Sequence, residues 1–191
     1  MKTMLLAACL LPATAVNAAS MDSHEVFAGL MLGDTHVEQR TESNEGSDSS
    51  LAGQLGYRYH ALKHLAFDVR YLEGESTDLD NVLSLFGEEY DEVEYSAWIV
   101  SAQLSTQVLD NTWVYTNLGL ASYEWELENS GERLFGDDVA AFQAEDDGTS
   151  AFWAVGAKYK WTSFSLGAEY QRLKMGDVET SNWGVQLGYA F

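Results

Sequence analysis

The chain has 191 residues, 46% of them hydrophobic and 13% aromatic, and a formal charge of −20. A balance so acidic excludes nucleic acid as a partner, because phosphate contacts need clustered Lys and Arg. The apolar and aromatic content excludes a disordered acidic chain.

Taken in chain order, the first element is a leader. Lys2 gives a positive start, Met4 to Val16 carry almost no polar side chains, and Val16-Asn17-Ala18 has the small-residue form of a cleavage site. This three-part pattern predicts a secretory signal peptide over 1–18 and a single domain over 19–191. The run is too short to cross a bilayer as a helix, which takes about 20 residues. A lipoprotein box at Leu6-Ala7-Ala8-Cys9 is the competing reading. It leaves only about five apolar residues before the cut, against the usual ~7–15. The single Cys and single Pro, Cys9 and Pro12, leave with the leader. The remaining chain has no disulfide scaffold and no Pro to interrupt a ladder.

Beyond the leader no run of about 18 apolar residues occurs, so a membrane would have to be crossed by strands closed into a barrel. The mark of such strands is about ten residues of alternating polarity, bounded by aromatics and turns. Segment 25–37 is strand-like, with its outward face undetermined. In 51–60, Leu51, Leu55, Tyr57 and Tyr59 oppose Gln54, Gly56, Arg58 and His60. In 65–73, Leu65, Phe67, Val69 and Tyr71 oppose Asp68 and Arg70. Segments 94–106 and 112–127 are strand-like, again with undetermined faces. In 151–161, Trp153, Val155, Ala157, Tyr159 and Trp161 oppose Gly156, Lys158 and Lys160. In 164–173, Leu166, Ala168 and Tyr170 oppose Gly167, Glu169 and Gln171. Segment 181–191 is the clearest: Trp183, Val185, Leu187, Tyr189 and Phe191 alternate with Asn182, Gly184, Gln186, Gly188 and Ala190. The expected fold class is all-β, an eight-stranded antiparallel up-and-down transmembrane barrel.

Links near 61–64, 107–111 and 161–164 are short, whereas 38–50, 74–93, 128–150 and 174–180 are read as loops on the opposite end. All but five of the 30 acidic residues (Asp22, Glu25, Asp68, Asp110 and Glu169) fall on that loop end. A soluble sandwich has no reason to gather its charge at one end.

The chain resembles the transmembrane-barrel family typified by the OmpA membrane domain and its stand-alone relatives. The resemblance rests on Leu55-Gly56-Tyr57-Arg58-Tyr59, Leu65 to Leu72, Leu166 to Leu173 and Gly184 to Phe191. It implies the cell outer membrane, with termini periplasmic and long loops extracellular. It also implies an assembly signal at Gly184, Tyr189 and Phe191, read by the outer-membrane assembly machinery. No peptidoglycan-binding domain follows in this sequence.

A barrel this narrow is filled by its own side chains, so inward charges must pair. Arg58, Asp68, Arg70, Lys158 and Glu169 form the expected interior set, with Arg58 opposite Asp68 and Lys158 diagonal to Glu169. Inward Gly56, Gly156, Gly167 and Gly188 leave room for a narrow solute or ion path as the alternative to a plug. Glu88-Glu89-Tyr90-Asp91-Glu92 and Glu145-Asp146-Asp147 lack the spaced ligand order of a calcium loop, and no metal site or cofactor is expected. Val82 to Phe86 and Val139 to Ala144, the latter after Asp137 and Asp138, are read as short helical turns in the loops. Arg172 and Lys174 continue the outward face of Tyr170 and are placed as a lipopolysaccharide phosphate contact, with pairing to Asp177 or Glu179 as the alternative.

Of the four His residues only His36, beside Asp34, approaches the outer rim where an enzyme of this class would work, and no nucleophile accompanies it. The expectation is therefore a monomeric, non-catalytic surface protein contributing envelope integrity, adhesion or ion interaction through its acidic loops. Its partners would be outer-membrane lipid and lipopolysaccharide. A small channel is the alternative, and a lipid A-modifying enzyme or protease a remote one.

Overall fold

The computed structural model describes residues 23–37, 48–77, 90–130 and 142–191. Eight strands follow in order: β1 (His24–Val37), β2 (Asp48–Leu62), β3 (Leu65–Thr77), β4 (Tyr90–Leu109), β5 (Thr112–Ser130), β6 (Phe142–Trp161), β7 (Phe164–Met175) and β8 (Val178–Ala190). Each pairs antiparallel with its chain neighbours, and β1 pairs with β8, which closes the barrel. Closure leaves no open edge, so every strand can satisfy its backbone within the sheet.

Alternation decides which side chains point out. On β8, Trp183, Val185, Leu187 and Tyr189 are exposed while Asn182, Gln186 and Gly188 are buried. The faces left undetermined by the sequence resolve in the same way. β1 sends Val26, Leu30 and Leu32 outward, β4 sends Trp98, Val100 and Leu104, and β5 sends Val114, Leu118 and Leu120. The outward surface is an apolar band between two aromatic belts, the surface that lipid requires. At the end holding the termini, Phe164 lies 5.2 Å from Tyr189, and Tyr189 lies 6.2 Å from Phe191. At the loop end, Tyr71 meets Trp98 at 5.2 Å and Tyr170 meets Trp183 at 4.8 Å.

The three short links are tight turns at 63–64, 110–111 and 162–163, as expected. The link expected as a loop over 174–180 is not one: β7 turns into β8 through Gly176 and Asp177 alone, with Gly176 at φ +60°. Glycine fits that left-handed bend, and a Cβ there would stand 2.4 Å from Asp146 Oδ2. Strands β2 to β6 outrun their expected bounds at the loop end. β4 and β6 each have 20 residues and β5 has 19, against 12 in β7 and 13 in β8. The wall β4–β6 is therefore tall and the β7–β8 side low. Phe142 to Ala144, expected in a helical turn, belong to β6. Residues 78–89 and 131–141, with the expected helical turn at Val82 to Phe86, lie outside the described residues.

Candidate functional site

Inward side chains near the terminal end form one ionic network. Arg58 lies opposite Asp68 in the β2–β3 register, as its spacing predicts. Its guanidinium donates to both carboxylate oxygens, Nε to Oδ1 at 2.7 Å and Nη2 to Oδ2 at 2.9 Å. This fork-on-fork geometry is the strongest form of the pair. Arg70 donates to Asp68 Oδ2 at 2.9 Å, to Glu169 Oε1 at 2.6 Å and to Gln54 Oε1 at 3.1 Å. Asn117 Nδ2 completes Glu169 Oε2 at 3.1 Å.

Lys158 and Glu169 are diagonal, as expected, but do not pair. Lys158 Nζ instead donates to Glu25 Oε2 at 3.1 Å. Glu25 is the member of the network that sequence reasoning missed. It also accepts from Arg58 Nη1 at 3.2 Å and Ser165 Oγ at 2.7 Å, and it meets His60 Nε2 at 3.0 Å. One signal for it existed: Val26, Ala28, Leu30 and Leu32 share a parity that Glu25 does not. Three cations thus face three carboxylates, all at most 3% exposed, and Phe27 lies beneath both guanidiniums, 4.6 Å from Arg58 and 5.2 Å from Arg70. The arrangement neutralises itself and leaves no net charge to draw an ion inward.

Above this network, toward the loop end, large apolar side chains fill much of the interior, with buried Gln171, Asn182, Thr180 and Ser50 among them. Met31, Leu72, Ile99, Phe152, Leu173 and Met175 are no more than 1% exposed and belong to one cluster. The inward glycines read as spare room are covered. A Cβ at Gly56 would stand 2.3 Å from the Phe27 ring, one at Gly156 2.5 Å from the Tyr115 ring, and one at Gly188 2.4 Å from Glu25 Oε1. Gly167 is tighter than it reads too, with Lys158 Cβ at 3.3 Å. These glycines make way for large neighbours rather than for a path.

At the loop end, acidic side chains line the strands, among them Glu75, Glu145 and Asp147, which were expected in loops. Glu73 and Glu75 are on β3, Glu94 on β4, Glu124 and Glu126 on β5, and Glu145 and Asp147 on β6, all exposed. Their register sets like charges directly opposite: Glu75 faces Glu94, Glu94 faces Glu126, and Glu126 faces Glu145. Such opposition is destabilising in a sheet. On the low side, Arg172 lies opposite Trp153 and is hydrogen-bonded to Glu179, and Lys174 also lies opposite Glu179 in the register. Both cations are outward-facing and exposed, as expected, and Arg172 takes the carboxylate partner weighed as the alternative. His36 and Asp34 share an exposed face on β1, with His36 opposite Glu179. Among the described residues no group of three or more His, Asp or Glu is arranged to hold a metal. Of the expected assembly residues, Tyr189 and Phe191 face outward at the β1–β8 seam, and Gly184 makes room for Met31.

No curated protein matches the sequence. Among solved structures, Neisserial surface protein A aligns with a TM-score of 0.60 at 14% identity, covering 88% of this chain and 97% of its own. Ail of Yersinia pestis, in complex with the heparin analogue sucrose octasulfate, aligns at 0.57 and 14% identity, covering 90% of this chain and 100% of its own. The N-terminal barrel domain of Pseudomonas aeruginosa OprF aligns at 0.51 and 16% identity, covering 89% and 98%. Identities this low carry the fold alone. The family model for the outer membrane protein beta-barrel domain matches residues 5–191. With that match over nearly the whole chain, and a closed eight-stranded barrel beneath it, this protein belongs to the outer membrane beta-barrel family.

Proposed function

We propose that this chain is a non-conducting, non-catalytic surface protein of the outer membrane, acting through the acidic tall wall and loops of its outer end. One observation carries the reading: the interior is an internally neutralised ion network closed over by tightly buried side chains, with apolar Met31, Leu72, Ile99, Phe152 and Leu173 at most 1% exposed. A hydrated ion would have to shed water to pass these side chains, and burying an unpaired charge there is very costly.

The leader at 1–18 is removed on export in this reading, the termini are periplasmic and the tall wall is extracellular. Phe191, Tyr189 and Gly184 serve the assembly machinery. Arg172 and Lys174 sit at the outer belt, where lipopolysaccharide phosphates compete with Glu179 for the guanidinium. The sucrose octasulfate bound by Ail is a polyanion, and the carboxylates on β3–β6 of this chain would repel one. A cationic partner is the better match for the wall.

Purified protein in planar bilayers tests the main reading. No discrete conductance steps are expected in salt solution. Reproducible steps that vanish on heat denaturation would replace it with a narrow channel.

A further inference from the structure

The acidic positions on the outer wall are half of a longer pattern that follows the barrel's hydrogen-bonded rows. Strands tilt in a closed barrel, so a row of directly paired residues climbs as it passes from strand to strand. One outward row runs Val155, Tyr170, Trp183, Leu32 and Leu51, then Glu75, Glu94, Glu126 and Glu145. The row beside it runs Ala168, Val185, Leu30 and Gly53, then Glu73, Ser96, Glu124 and Asp147. Both change from apolar to acidic at the same step, between β2 and β3.

Between the two rows lies a groove of about 470 Å³, lined by Leu30, Leu51, Gly53 and Tyr71 at one end and by Glu73, Glu75, Glu94, Glu124 and Glu126 at the other. Strands about 4.8 Å apart make its course from β1 to β5 roughly 19 Å long. A Cβ added at Gly53 would meet nothing within 4 Å, so the apolar end is open. Leu30 is 65% exposed within the apolar band; Leu51, 48% exposed, pairs directly with Glu75, and both stand four residues beyond the Leu55–Tyr71 pair of the belt.

We propose that this groove docks a membrane-resident polycationic amphiphile, one hydrocarbon tail along Leu30, Leu51 and Gly53 and several ammonium groups among the five glutamates. Charge complementarity selects a polycation over a single amine, because directly opposed carboxylates repel until more than one of them is neutralised. The tail is required by continuity: the groove begins in the lipid-facing band, where a free polyamine has no reason to lie. The inference rests on the acidic wall standing at the outer end.

The probe is polymyxin B, a polycation with one acyl tail, set against its tail-less nonapeptide. Binding is measured calorimetrically on protein in phosphatidylcholine nanodiscs, with empty discs subtracted. The acylated probe should bind wild type about tenfold tighter than the nonapeptide. Glu94→Gln/Glu126→Gln should weaken both by about tenfold, since exposed charge pairs contribute modestly each. Gly53→Leu should weaken the acylated probe alone. All three positions face outward, and heat-modifiable migration verifies folding. Unchanged binding by the double variant overturns the proposal, and so does a wild type indifferent to the tail. Labelling of Glu126→Cys from outside intact cells tests the orientation separately, so a failure there is not mistaken for a failure of binding.

Discussion

Asp68 is the residue on which the interior turns, because it holds Arg58 by two bonds and Arg70 by a third. Asp68→Ala leaves two buried guanidiniums short of acceptors and should cost about 3–5 kcal/mol. Removing Arg58 as well should recover part of that loss, though not all, since Arg70 stays short and Glu25 loses a donor. Urea unfolding of both singles and the double in lipid vesicles checks this, and strictly additive losses would show that the pair does not interact. The Arg58–Asp68 pair was legible because the short turn at 63–64 fixes its register. Glu25 was not, since its partners come from three other strands: Arg58 and His60 on β2, Lys158 on β6 and Ser165 on β7.

At the scale of the strand, alternation reads well only where the two faces differ in polarity. β2, β3, β6, β7 and β8 have that contrast over the segments read from sequence, and their faces were assigned correctly. β4 and β5 reverse their contrast along their length: Tyr95, Ala97, Tyr123 and Trp125 point inside against outward Glu94, Ser96, Glu124 and Glu126, whereas nearer the terminal end Ser101, Gln103 and Asn117 point inside against outward Val100, Leu104 and Leu118. With the contrast reversed midway the period fixes no single face. Strand ends misled for a different reason: Glu75, Glu145 and Asp147 look like loop residues, yet the ladder continues through them. The same row gives a prediction. Glu94→Lys converts two like-charge oppositions, with Glu75 and Glu126, into attractive ones. Each should then contribute roughly 0.2–1 kcal/mol of stability. The gain, measured by thermal unfolding, should shrink in high salt. A loss at low salt would mean that the wall depends on its carboxylates for structure.

Over the whole molecule, the barrel exists only when its first and last strands meet. His24 N donates to Phe191 O at 3.2 Å, and Phe191 N to His24 O at 2.8 Å. The Phe191 ring stacks on His24 with centroids 5.8 Å apart. Deleting Phe191 should therefore slow insertion and leave aggregate in place of folded protein. Normal levels of heat-modifiable protein from the deleted gene would refute this.

The stacking of an apolar layer over an ionic one also sets how the interior responds to temperature. Apolar burial weakens on cooling, and the desolvation penalty of ion pairs falls on warming. The layer of Met31, Leu72, Ile99, Phe152, Leu173 and Met175 and the bidentate Arg58–Asp68 pair beneath it are therefore both weakest in the cold. Cooling should slacken mouth and base together and warming should firm both, so neither half of the barrel stays rigid while the other gives.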